Sequence, residues 1–245
     1  MSERQRFLVK ISGEALSGSE PLGIDQAVLT RIAGEIQQLA THSIEVSIVI
    51  GGGNLFRGAS LTTTDNRAGL DRVAADQMGM LATIMNGIAI RGALECTGVN
   101  ARLLSAVAIN GMVEPYNQRN AIRYLSQNEI LIFVAGTGNP FFTTDSAACL
   151  RAIEIDADLI IKATQVDGVY SADPHKYPDA VRYDHLSYDQ LIKQNLTVMD
   201  LTAICLVKEH NIPIRVVDIT KQNALLEAAF GNRGTLINHT EDTKE

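Results

Sequence analysis

Ile130-Leu131-Ile132-Phe133-Val134 is an unbroken apolar run that leads straight into Ala135-Gly136-Thr137-Gly138-Asn139-Pro140-Phe141-Phe142-Thr143-Thr144-Asp145, and this junction constrains the fold more than any other stretch. A strand apolar on both faces has to be covered on both faces, as in the centre of a parallel sheet. The glycines then force a turn, and Thr144 or Asp145 is placed to cap a helix beginning near Ser146. Gly136 and Gly138 are expected to leave backbone N–H groups uncovered, and free amides at a helix N-terminus attract anions. Alone, such a loop is equally compatible with an ordinary strand-to-helix connection.

The same alternation recurs along the chain. Phe7–Ile11 and Val46–Ile50 read as strands, and between them Asp25 caps a helix whose apolar positions Val28, Leu29, Ile32, Ala33, Ile36, Leu39 and Ala40 keep helical spacing. A long helical pattern from about Leu70 to Leu94 carries Val73, Met80, Leu81, Ile84, Met85 and Ile88, a stripe that reads as core or subunit interface before it reads as a cofactor box. Further strands are expected at Asn100–Ala106, Ile130–Val134, Leu159–Ala163, Ile214–Asp218 and Thr235–Ile237, with helices near 117–127, 146–155, 187–194, 199–210 and 222–230. The expectation is an α/β fold, a mostly parallel sheet sandwiched between helical layers. Ligands of such sheets collect beyond the carboxyl ends of the strands. Ser12-Gly13, Gly51-Gly52-Gly53-Asn54 and Gly136-Thr137-Gly138 all lie there, so three loops are expected to meet in one crevice.

At 245 residues with 46% hydrophobic content, the chain can bury a sizeable core. No Gly/Ser/Pro-rich linker divides it, so we read one domain over 1–245, with Ser60 to Gly69 as a mobile loop. A formal net charge of −7 leaves no basic face for nucleic acid. Cys96, Cys149 and Cys205 lack the close spacing of metal or redox motifs and read as reduced core thiols. No apolar run approaches the roughly 18 residues of a membrane span, so a soluble cytoplasmic protein is expected.

Several chemistries are missing. There is no G-x-x-x-x-G-K-[ST] loop. Phe56 and Phe141 stand where G-x-G-x-x-G needs its third glycine, and neither H-R-D nor D-F-G occurs, which excludes a protein kinase. The histidines show no metal-ligand spacing, and no protein-borne metal site is expected. What remains is a set of cations at strand ends. Lys10 closes the first strand, and Lys162 sits inside Leu159-Ile160-Ile161-Lys162-Ala163. A lysine in an apolar strand needs a counter-charge, either a bound phosphate or a carboxylate such as Asp145 or Asp167. Phosphoryl transfer depends on positioning and charge neutralisation more than on a nucleophile, and this inventory suits it.

Four long, ordered motifs then carry a resemblance over essentially the whole chain: Lys10-Ile11-Ser12-Gly13-Glu14-Ala15-Leu16, Gly51-Gly52-Gly53-Asn54-Leu55-Phe56-Arg57-Gly58, Gly136 to Asp145, and Lys162 to Pro174. They resemble the signatures of the bacterial uridylate kinases, a branch of the amino-acid-kinase fold family. The resemblance implies a three-layer α/β/α sandwich, with an acceptor-binding part at about 1–145 and an ATP-binding part at about 146–245. It implies that Lys10, Ile11, Ser12, Gly13, Gly53 and Arg57 contact the ATP phosphates or the group in flight, and that Thr164, Tyr170 and Asp173 hold the adenosine. Gly52, Asp76, Thr137, Gly138, Asn139, Pro140, Phe141, Phe142, Thr143 and Thr144 would hold UMP, while Asp145 orients the catalytic lysines Lys10 and Lys162. Asp76 also stands one turn after Arg72, so an exposed i,i+4 ion pair is the alternative to a binding role. The resemblance further implies Mg²⁺ with ATP, a homohexamer, and regulation by GTP as activator and UTP as inhibitor. Arg91 and Arg102 match the GTP site of the Gram-negative branch, but Glu95 replaces a histidine and Gln118 a tryptophan, so weak or absent GTP activation is expected. The competing readings are an amino-acid or carbamate kinase and a catalytically silent nucleotide sensor.

Overall fold

The computed structural model describes residues 4–56, 71–174, 176–177, 179–196, 198–231 and 233–239. The elements, in chain order, are β1 (Arg6–Ile11), a short 3-10 turn (Gly13–Leu16), α1 (Gln26–Thr41), β2 (Glu45–Ile50), α2 (Arg72–Cys96), β3 (Ala101–Ser105), β4 (Glu114–Pro115), α3 (Gln118–Ser126), β5 (Ile130–Val134) and α4 (Thr144–Glu154). There follow β6 (Leu159–Thr164), β7 (Val169–Tyr170), β8 (Arg182–Tyr183), β9 (His185–Ser187), α5 (Tyr188–Lys193), α6 (Leu201–Glu209), β10 (Ile214–Asp218), α7 (Ala224–Ala229) and β11 (Thr235–Asn238). Among the described residues nine strands form one sheet in the order β4-β3-β5-β2-β1-β6-β10-β11-β9, while β7 and β8 form a separate ribbon. Every neighbouring pair of the large sheet is parallel except β10–β11.

Strand side chains alternate between two cores, as the period of two requires. Phe7, Val9 and Ile11, with Ile48, Ile132 and Ile161, pack on the side of α1, α2 and α7. Leu8, Val49, Phe133 and Ile160 face α3, α4 and α6 on the other. This is the expected three-layer sandwich. Asp25 caps α1 as anticipated, its Oδ1 accepting from the Ala27 and Val28 amides at 2.8 and 3.0 Å.

Some expectations are corrected. Only Cys149 is a core thiol; Cys96, the last residue of α2, and Cys205, on the outer face of α6, are exposed. Contrary to the reading of the apolar runs, α2 is long and apolar enough to cross a membrane by length and composition, with a mean hydropathy of 1.2. One face packs on α1, β2, β3 and β5, and 39% of its apolar stretch is buried. The short strands β4, β7, β8 and β9 were not foreseen, because two or three residues carry no periodicity.

Candidate active site

Alternation along β1 and β6 turns Lys10 and Lys162 toward α4, the side that Leu8 and Ile160 also face. Both lysines are 8% exposed. They are register partners on adjacent strands, so two ammonium groups are forced together in a nearly dry layer. α4 supplies the counter-charge at its second residue. Lys162 Nζ donates to Asp145 Oδ2 at 2.7 Å, and Lys10 Nζ lies 2.8 Å from Oδ1 as an ion pair outside hydrogen-bond geometry. Burial pushes the Asp145 carboxyl up, but the two ammonium groups outweigh it and hold it below the usual carboxylate range. Burial, with the neighbouring Lys10 charge, pulls the Lys162 ammonium below the usual lysine range. Of the two counter-carboxylates considered, Asp145 is the one present; Asp167 accepts instead from the Tyr170 hydroxyl at 2.7 Å and pairs with Arg182 at 3.4 Å.

Because Asp145 is turned inward, it does not cap its own helix, and neither does Thr144. Thr143 does: its Oγ1 accepts from the Asp145 and Ser146 amides at 3.1 and 3.2 Å, and α4 accordingly begins before Ser146. The Thr143 hydroxyl donates to Asp200, which also accepts from Ser146 Oγ at 3.0 Å and caps α6 through the Ala203 amide at 3.0 Å. The glycine turn is less open than expected, since the Gly138 amide donates to the Ala135 carbonyl at 2.9 Å. Gly136 and Gly138, at φ 58° and 79°, let the turn close on itself.

One cleft of about 480 Å³ opens on this side of the cluster. Its walls include Gly52, Gly53, Asp76, Thr137, Asn139, Phe142, Thr143 and Thr144. Gly52 must be glycine: a Cβ there would lie 2.8 Å from Ala82 Cβ and 2.9 Å from the Gly79 carbonyl oxygen of α2. A Cβ on Gly13 would run into the Gly53 amide nitrogen, so the Ser12-Gly13 turn packs directly beneath the second glycine loop. Asp76 is more than an i,i+4 partner. Arg72 Nε donates to its two oxygens at 2.9 and 3.0 Å, and the Phe141 amide donates to Oδ2 at 2.7 Å, across 65 positions of sequence. Gly138, Pro140 and Phe141 do not line this cleft; Phe141 is 66% exposed and stands over Arg72, whose Cζ is 5.9 Å from the ring centroid.

A second cleft, of about 600 Å³, is lined by Lys162, Thr164, Tyr170 and Asp173 together with Val198 and Val216. The Tyr170 hydroxyl is tied to Asp167, which pushes its phenol up from the ordinary value. The cluster stands at the junction: Lys162 lines this cleft, while Thr143 and Thr144, immediately before Asp145, line the other. Ile11, Ser12 and Gly13 line neither, and the Ile11 side chain is fully buried in the core, leaving only its backbone available to a ligand. Arg57 and the 60–69 stretch lie outside the described residues.

Sequence reasoning overlooked the polar side chains that hold these loops. Asn54 and Asn86 are both fully buried. They exchange amide hydrogen bonds at 3.1 and 2.6 Å, and Asn86 Nδ2 donates to the Gly51 carbonyl at 2.8 Å. An Asn inside an apolar helical stripe is the signal that could have found Asn86. A third cleft, of about 490 Å³, contains Arg91 and Arg102 but also Glu95, Glu114 and Glu129. Arg102 is bidentate to Glu129 at 2.8 and 2.9 Å and reaches Glu114 at 3.4 Å, Arg91 sits 3.8 Å from Glu95, and Gln118 Nε2 donates to the Glu154 carbonyl at 2.7 Å.

Known proteins resemble this arrangement closely. The model of the "Amino acid kinase family" matches residues 5–218. The chain is 58% identical over 233 residues to the uridylate kinase of Alcanivorax borkumensis, covering 95% of the chain and 91% of that protein. It is 56% identical to the uridylate kinase of Pseudomonas syringae pv. syringae, covering 97% and 95%. Among solved structures, UMP kinase from Bacillus anthracis superposes with a TM-score of 0.91 at 39% identity, covering 96% of each chain. UMP kinase from Ureaplasma parvum superposes at 0.90 with 37% identity, covering 96% and 99%.

Proposed function

The chain belongs to the amino acid kinase family, and from that premise we propose that it transfers the γ-phosphoryl group of ATP to UMP, giving ADP and UDP for pyrimidine nucleotide synthesis. The observation that carries this reading is the Lys10–Asp145–Lys162 cluster at the junction of two clefts. The uridylate kinase relatives named above support UMP as the acceptor.

UMP occupies the cleft of Gly52, Asp76, Thr137, Asn139 and Phe142 to Thr144, with Gly138, Pro140 and Phe141 shaping its turn; ATP occupies the cleft of Thr164, Tyr170 and Asp173. An oxygen of the UMP phosphate attacks the γ-phosphorus in line. The new P–O bond forms as the bond to the β,γ-bridging oxygen breaks, and ADP leaves with that electron pair. Lys10 and Lys162, preset by Asp145, neutralise charge on the group in flight without reorganising. The backbone of Ile11 to Gly13, Gly53, and Arg57 complete the phosphate contacts. Asp145 is committed to two lysines, so Mg²⁺ would be held chiefly by the ATP phosphates with which it enters. When bound, Mg²⁺ supplies further charge neutralisation on those phosphates.

The proposed organisation is a single domain over 1–245 with an acceptor part up to about 145 and a donor part after it, and the lining residues of the two clefts, which fall on either side of that point, support it. On the outer face of α2, Val73, Met78, Leu81 and Met85 are exposed, which supports a subunit interface; the enzyme proposed is homohexameric and cytoplasmic. UTP acts as inhibitor, and GTP activates weakly or not at all because Arg91 and Arg102 are already paired. Asp76 disfavours the amino-acid and carbamate kinases, since a carboxylate beside a small anionic acceptor is costly unless it binds hydroxyls. ADP release from Mg-ATP across UMP, CMP, acetylglutamate, aspartate and carbamate tests the reading. UMP is the expected acceptor, and turnover with a non-nucleotide acceptor but not with UMP would contradict it.

A further inference from the structure

We infer that Thr83 is a positioning residue for the acceptor: its hydroxyl pins the turn that forms one wall of the UMP cleft. This rests on the assignment of that cleft to UMP. Thr83 is 5% exposed and lines the cleft alongside Asp76, Gly79 and Met80 of the same α2 face, but its hydroxyl is turned to the backbone rather than left open to the cleft. Its Oγ1 donates to the Met80 carbonyl at 2.7 Å, which orients the oxygen lone pairs outward from the helix. The Ala135 amide donates to that oxygen at 2.7 Å. Ala135 is fully buried at φ 62°, and Gly136 continues at φ 58°. A residue with a Cβ holds the left-handed region only where its surroundings impose it. At Ala135 the imposing group is the Thr83 hydroxyl, and the turn it fixes carries Thr137 and Asn139 into the cleft.

The opposite wall is held separately. Asn86, one turn further along α2, fixes the Gly51 carbonyl and Asn54. Loss of the Thr83 hydroxyl therefore releases one wall, while the ATP cleft, which shares no lining residue with the acceptor cleft, is untouched.

Thr83→Val keeps the volume and removes the acceptor, leaving a buried N–H unmet. Steady-state kinetics of the full-length enzyme should show the UMP KM raised about tenfold, with the ATP KM unchanged and kcat less affected. Thr83→Ser restores the hydroxyl and should restore the UMP KM. Adding Ala135→Gly to Thr83→Val should recover part of the loss, because glycine adopts the left-handed region freely; no recovery would overturn the role given to Ala135. If Thr83→Val does not fold, Thr83→Cys, a weaker acceptor, should give an intermediate rise. An unchanged UMP KM in the Val or Cys variant, or a Ser variant as impaired as Val, overturns the inference. A rise in the ATP KM alone places the acceptor elsewhere and overturns the cleft assignment instead.

Discussion

Lys10 and Lys162 stand opposite each other on adjacent parallel strands, and one carboxylate, Asp145, holds both. Two cations fixed this closely repel each other, so the arrangement makes sense where a second, more highly charged anion visits. Lys10→Ala should lower kcat by about a hundredfold or more with a smaller change in the UMP KM, the pattern of a lost transition-state donor. Near-normal turnover would contradict that role.

Lys162 must carry its proton to neutralise phosphoryl charge, and burial beside Lys10 draws its titration below the usual lysine range. The rate should therefore fall on the alkaline side as pH rises through that lowered value. Lys162→Arg, always protonated, should remove this alkaline limb while changing the absolute rate. Asp145 gives the opposite limb for stability. Its folded-state value is lowered, so its contribution is complete above the unfolded carboxylate value and is lost as pH falls through the folded one. Thermal unfolding at decreasing pH should show the wild type losing more stability than Asp145→Asn, which starts lower because it leaves two buried ammonium groups unpaired. Parallel curves for the two proteins would argue against this account.

Asp76 joins the acceptor cleft to the Phe141 turn. If its carboxylate also accepts from the acceptor ribose, UMP should be preferred over dUMP by about ten- to a hundredfold, the effect of an unmade hydrogen bond to a charged group. Asp76→Ala should erase most of that preference. Measuring kcat/KM for both acceptors in both proteins decides it, and an unchanged ratio would return Asp76 to a purely structural partner of Arg72 and Phe141.

Much of this was legible in the sequence because it is local. Apolar runs, glycine turns and Asp25 mark their elements within a few residues of themselves, and the motif blocks fall on the strand ends where ligands gather. What was not legible depends on neighbours that only the sheet order supplies. Lys10 faces Lys162 because β6 lies beside β1, although Lys162 follows some hundred and fifty positions later. The cap of α4 falls to Thr143 because Asp145 is drawn inward by those lysines, a tertiary effect that outcompetes the local capping preference. Thr83 and Asn86 read as interruptions of an apolar helix, and their purpose appears only when the ends of β5 and β2 are seen to end against them.

GTP should leave the rate unchanged or nearly so. Glu129 already takes the Nε and one terminal nitrogen of Arg102, Glu114 takes the other, and Glu95 stands beside Arg91, so an entering phosphate meets carboxylates rather than free cations. Steady-state rates with and without GTP should agree within about twofold, against the tenfold that a coupling of 1.4 kcal/mol would give. Several-fold activation at low GTP would show that the two arginines can exchange their carboxylates for a nucleotide.

The most direct measurement of the central claim follows the label from γ-labelled ATP in the presence and absence of UMP. A cluster that hands the group from one cleft to the other should produce labelled UDP and ADP in equal amounts, with almost no labelled inorganic phosphate and no ADP when UMP is omitted. Nucleotide binding without labelled UDP, or label released mainly to water, would contradict the account.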